Sequence, residues 1–201
     1  MPVESESSTT YVRKPFALWG LSVLLGAAFG AATNVSNSVI SPTYFRRVMG
    51  WSGDVVGAAV LQGALEGAIT GCAFGIAVAV AATVVTKLKC RPGALIGVLP
   101  LAFVVAFAFW LLGGMIGAVS ARVLAPVWLW AVPFAPRAPM ALVRFGWVGG
   151  SIWGAYLGSV IGLICSVVML RRRWRAVLNA DQGFDVIRPV VAVYSAGENG
   201  R

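Results

Sequence analysis

Four long apolar stretches, roughly Pro15 to Tyr44, Val55 to Thr86, Pro92 to Ala121 and Phe145 to Leu170, leave every charged residue but one to the segments between them and to the two termini. Each exceeds the ~20 apolar residues that a helix needs to cross a hydrocarbon core of about 30 Å. Within a stretch, apolar and polar residues do not alternate; Leu, Val, Ala and Gly run on every side. A membrane barrel strand would alternate over about ten positions, so the pattern predicts helices that are apolar all round. The expected fold class is therefore an all-α integral membrane protein with four transmembrane helices.

The segments between the stretches suggest the organisation. Residues 1–14 form a polar, serine-rich lead with too little apolar area to order itself. A first helical hairpin follows over 15–86, then a loop at 87–93, a second hairpin over 94–175 and a tail at 176–201. The tail holds a short β-prone stretch, Val190 to Tyr194. The connection inside the second hairpin is broken by Pro126, Pro133, Pro136 and Pro139, so it is expected to lie along the membrane surface rather than to span.

Sliding the chain by 87 residues lays the first helix on the third and the second on the fourth. Gly26 and Gly30 then fall on Gly113 and Gly117, while Gly63, Gly67, Gly71 and Gly75 fall on Gly150, Gly154, Gly158 and Gly162. One ungapped offset serves both pairs, which points to an internal duplication of a helical hairpin. Two such units end on the side where they began, so the halves should be parallel, related by a pseudo-twofold axis along the membrane normal. Small residues four apart let two helix backbones approach closely, and close packing is what holds helices together in lipid. The twelve glycines are accordingly expected to form packing seams of the glycine-zipper kind. The counterpart of the first span also argues that this span is a permanent helix rather than a cleaved signal peptide.

Composition agrees with a membrane location: the 201 residues are 59% hydrophobic and 11% charged. The net charge of +9 is not a nucleic-acid patch, because the basic residues sit at the ends of the apolar runs. Arg13, Lys14, Lys87, Lys89, Arg91, Arg171, Arg172, Arg173 and Arg175 would lie on one side, and Arg46, Arg47, Arg122, Arg137 and Arg144 on the other. The positive-inside rule then predicts a cell (inner) membrane protein with both termini cytoplasmic. Cys72, Cys90 and Cys165 form no CxxC and are expected to be reduced.

One acid interrupts the spans. Glu66 lies between Gln62 and Thr70, and the spacing of four puts all three on one helix face beside the glycines. An ionised carboxylate at this depth costs about 3 kcal/mol or more, so Glu66 should be protonated or hydrogen-bonded. Either it forms a bond across a helix contact, which is the preferred reading, or it serves a proton or cation path. Under the ungapped offset its counterpart is Trp153, with Gly149 for Gln62 and Leu157 for Thr70, so the polar stripe occurs once. Near the outer ends of the spans, Tyr44, Phe45, Arg46, Arg47 and Trp51, with Trp128 and Trp130, are expected to anchor in the headgroup layer or contact a partner. Asn34, Ser36, Asn37 and Ser38 form a polar last turn on the first helix and match no catalytic motif.

The absence of histidine removes Ser-His-Asp triads, His-ligated haems and most zinc sites. No Gly-rich loop ends in Lys followed by Ser or Thr, so nucleotide binding has no support. No catalytic residue, metal or cofactor is expected. Membrane lipids, other membrane subunits and copies of the chain itself are the expected partners. The leading expectation is a non-catalytic accessory or scaffold subunit. A small proton or cation channel or transporter using Glu66 stands second, and a lipid-binding or membrane-shaping protein third.

Overall fold

The computed structural model describes the backbone of residues 9–86, 97 and 99–198, and the side chains of residues 19–85, 97 and 99–176. Among the described residues six helices follow one another: α1 (Thr9–Ile40), α2 (Pro42–Val48), α3 (Val55–Thr86), α4 (Leu99–Val123), α5 (Ala125–Ala131) and α6 (Pro139–Glu198). No strand occurs among the described residues. Four helices among the described residues are long and apolar enough to cross a membrane, over Trp19–Ile40, Val55–Val85, Leu99–Val123 and Pro139–Ala176. Between 22 and 28% of each apolar window is buried inside the chain, so most of its side chains face outward. Leu24, Leu61 and Val84, all at least 70% exposed, would be poorly placed in water and well placed in lipid.

Two boundaries differ from the sequence expectation. The first helix starts at Thr9, so residues 9–14 of the polar lead are helical; residues 1–8 lie outside the described residues. The last helix runs to Glu198, through the β-prone stretch at 190–194. A helix that already exists grows by one hydrogen bond per residue, whereas a lone strand has no neighbour to pair with. The loop expected at 87–93, with Cys90, lies outside the described residues.

Within each hairpin the helices meet glycine to glycine. A Cβ placed on Gly26 would collide with the carbonyl oxygen of Gly67, and one on Gly30 with that of Gly63; the reverse placements collide equally. On the other side, Gly113 opposes Gly150 and Gly117 opposes Gly146 in the same reciprocal way. Gly71 and Gly154 continue the two contacts against the backbone of Ser22 and of Phe109. The backbones are therefore as close as helices can come, and no side chain separates them.

The contacts of the two seams correspond, although not under a single offset. Gly26 and Gly30 map onto Gly113 and Gly117 by adding 87, while their partners Gly67 and Gly63 map onto Gly150 and Gly146 by adding 83. Neighbours follow the same rule: Asn34 flanks Gly63 as Ala121 flanks Gly146. By that contact correspondence Glu66 matches Gly149 in position, whereas the single offset of 87 pairs it with Trp153.

Buried apolar contacts between the hairpins gather at two levels. At one end Phe45, Val55, Ala59 and Val148 pack together, and at the other Val78, Ala82, Leu99 and Leu170. Helix α2 closes the first of these ends, where Arg47 Nη1 donates to the Phe134 carbonyl at 3.0 Å. Gly50 follows α2 with φ +71°, a left-handed conformation that stops the helix and that a residue with a Cβ rarely adopts. Asp54 then caps α3, its Oδ1 accepting from Val56 N at 3.1 Å and Gly57 N at 3.0 Å.

These seams make a direct prediction. Gly67→Val should lower the thermal unfolding midpoint in detergent, because overpacking a closed contact costs about 1–3 kcal/mol. Gly20→Val should leave it nearly unchanged, since nothing lies within 4 Å of a Cβ at Gly20. Equal effects of the two substitutions would contradict the seam.

Candidate functional site: a carboxyl between two hairpins

Helix α3 presents Gln62, Glu66 and Thr70 one turn apart, next to the glycines that face α1. Gln62 Nε2 donates to Glu66 Oε1 at 2.7 Å. The Tyr156 hydroxyl, on α6, donates to Oε2 at 3.3 Å. Both carboxyl oxygens thus have partners, and one of those partners belongs to the other hairpin. Because a hydroxyl rotates, the Tyr156 contact can equally accept a proton carried by the acid. The third member of the stripe behaves differently: Thr70 Oγ1 donates to the backbone carbonyl of Glu66 at 2.9 Å and does not touch the carboxyl.

Tyr156 was not singled out from the sequence. Its signal was that it is the one tyrosine inside the four apolar windows, a polar tip in an apolar run that needs a hydrogen-bond partner. A second polar tie between the hairpins lies nearer to α2. Ser151 Oγ, fully buried on α6, donates to Asn37 Oδ1 at 3.0 Å and lies 2.9 Å from the Val148 carbonyl.

A cavity of about 110 Å³ separates the hairpins between the two levels of apolar packing. Glu66 and Tyr156 line it together with Phe29, Phe103, Trp110 and Asn37. The Phe29 and Phe103 rings, with centroids 6.0 Å apart, bridge α1 and α4, which are otherwise not packed on each other. The wall can donate and accept hydrogen bonds. Among the described residues no three His, Cys, Asp or Glu side chains come together as metal ligands.

The aromatic and basic residues near α2 divide into two groups. Phe45 is 1% exposed, stacks on Trp51 at 5.3 Å and packs inside the chain, so neither is simply a headgroup anchor. Tyr44 lies against Phe145 at 4.9 Å, and burial pushes its hydroxyl pKa above the ordinary value of 10.0. Trp128 Nε1 donates to Ser120 Oγ at 3.3 Å. Arg46, Arg47 and Trp130 remain exposed, Trp130 at 83%. A short α2 turns one face to the bundle and the other outward, which is why adjacent residues Phe45 and Arg46 part company.

Among the described residues the fold is all-helical, with four helices long and apolar enough to cross a membrane, arranged in two close hairpins that hydrogen bonds join beside a small cavity. The chain matches no family model, no curated protein and no solved structure.

The bond pattern at Glu66 predicts unequal substitutions. Glu66→Gln keeps an acceptor for one neighbour and should change stability little, whereas Glu66→Leu strands Gln62 and Tyr156 and should cost about 1–3 kcal/mol. Tyr156→Phe should cost less, about 0.6 kcal/mol, the usual size of such bonds in membranes. Unfolding of the purified variants in denaturant checks the order.

Proposed function

We propose that the chain is a non-catalytic, multi-pass membrane subunit that packs in the membrane plane against a larger complex or against its own copies. The observation that carries this reading is the internal satisfaction of Glu66. Its two oxygens are taken by Gln62 and by Tyr156 of the other hairpin, the arrangement of a structural tie. Transport would ask instead for an acid left open to an ion.

The partner-facing part of the proposal rests on Trp153. This side chain is 76% exposed and stands nine residues beyond Arg144 on α6, about 13 Å along the helix. Tryptophan usually sits at the membrane surface, where its N–H can be hydrated. An outward indole well inside a span supports contact with another protein chain, and Trp130 would extend such a surface at the end that bears α2 and α5.

The two hairpins are best understood as a duplicated unit with glycine-zipper seams. The matched seam contacts support this, with four residues fewer in the second unit between its paired helices. The placing of the basic residues supports a cell (inner) membrane location with both termini cytoplasmic. A second reading, a small proton or cation channel or transporter, is favoured by one observation, the cavity beside Glu66.

Purification in mild detergent and flux measurements in liposomes separate the two. The subunit reading expects a stable, larger assembly that Trp153→Leu weakens, and no proton or cation flux. Flux in the native protein that Glu66→Gln abolishes would establish the second reading in its place.

A further inference from the structure

Two indoles of the bundle, Trp110 and Trp147, lack a hydrogen bond at Nε1, but those atoms are enclosed by the chain, and the two rings meet edge to face at 6.0 Å. Trp153 also has no hydrogen-bond partner among the described residues, and it is turned outward on α6, 76% exposed. An N–H held in hydrocarbon without an acceptor is costly, and lipid chains supply none.

An acceptor of the right kind stands on the same helix, out of reach of Trp153 itself. Tyr156 is exposed on α6 and touches Trp153 edge to face, with centroids 6.4 Å apart. Its hydroxyl donates to Glu66 Oε2, which leaves the lone pairs of its oxygen free to accept. One outward face therefore carries an unpaired donor and, three residues on, about 4.5 Å along the axis, an unused acceptor. A twofold contact joins residue i of one copy to residue j of the other, and j to i. Copies inserted in one orientation are related by an axis along the membrane normal, which sets α6 parallel to α6 and brings groups of similar depth together. Each indole can then donate to the other copy's Tyr156. A foreign helix would have to bring both a donor and an acceptor to this depth.

The rest of the face is compatible with such a contact. Leu157, Val160 and Ile164 are all exposed and follow Trp153 at four, seven and eleven residues, the spacing that keeps two parallel helices in register. Arg144 stands nine residues before Trp153, about half a turn round the helix, so the contact does not set it against its own copy.

We infer that two copies of this chain pair in the membrane through α6, with Trp153 Nε1 of each donating to the Tyr156 hydroxyl of the other. This rests on the subunit reading above and names the partner for it.

Energy transfer between donor- and acceptor-labelled full-length chains in liposomes, followed as lipid is added to dilute them, measures the pairing. The native chain should pair one to one. Trp153→Phe keeps the ring and removes only the donor, and it should weaken pairing about tenfold, because the twofold repeats the lost bond. Tyr156→Phe should weaken it similarly, and the double variant should be no weaker than either single one, as expected for two ends of one bond. Val104→Ala, at an exposed site on α4, should change nothing. Photo-crosslinking in native membranes from Leu157→benzoylphenylalanine should give a product of two identical chains. Additive losses in the double variant, or pairing indifferent to Trp153→Phe in protein that melts like the native chain, overturn the inference. A crosslink to a different protein without self-pairing overturns it and leaves the subunit reading standing, whereas a chain that is monomeric and crosslinks to nothing overturns both.

Discussion

In a lipid solvent, the backbone of every spanning segment must bond to itself, and apolar side chains gain nothing by leaving lipid for one another. Association then depends on how closely backbones can approach. The direct contact of Gly26 and Gly30 with Gly67 and Gly63, and of Gly113 and Gly117 with Gly150 and Gly146, is the constraint on which the rest of this structure depends. Each contact removes two side chains and turns a pair of helices into one stiff unit. The outward faces are left to Leu, Val and Ile, which are at no disadvantage against lipid.

Between the units the chemistry changes. Among the described residues no glycine seam joins one hairpin to the other; they meet through apolar clusters at the two ends, the Phe29 and Phe103 rings and a few hydrogen bonds. Glu66 with Tyr156, and Asn37 with Ser151, are hydrogen bonds in a medium that supplies no water to replace them. They fix the orientation of two stiff bodies with few atoms. The cavity follows from the same division, because two bodies that meet at their ends and do not interdigitate leave space at mid-height.

The helices and their contact faces were legible from residue type alone: unbroken apolar runs leave little alternative to helices, and glycines spaced by four mark a face. The polar stripe at Gln62, Glu66 and Thr70 was legible for the same reason of periodicity. Tyr156 was not paired with Glu66 in advance, since which faces of α3 and α6 oppose each other depends on how two hairpins dock. Phe45 and Trp51 looked like surface anchors because composition does not reveal which side of a seven-residue helix turns inward. The seam contacts do not follow the single offset of 87 for a specific reason. Glycines recur every four residues along both helices, so 83 and 87 align them equally well, and only contacts distinguish the two.

That self-similarity has a consequence for the molecule itself. A contact that repeats each turn is like the teeth of a rack: moving α6 along α4 by four residues, about 6 Å at 1.5 Å per residue, would set glycine against glycine once more. The ladder supplies adhesion and is nearly indifferent to which tooth is engaged. Selection of one tooth falls to the few irregular residues, such as Trp147, whose ring fills the space beside Gly114, and to the caps that tie the helix ends. Loss or gain of four residues in a connecting segment could therefore be absorbed without remaking the interface, and the chain between Gly30 and Gly63 is longer by that amount than the chain between Gly117 and Gly146.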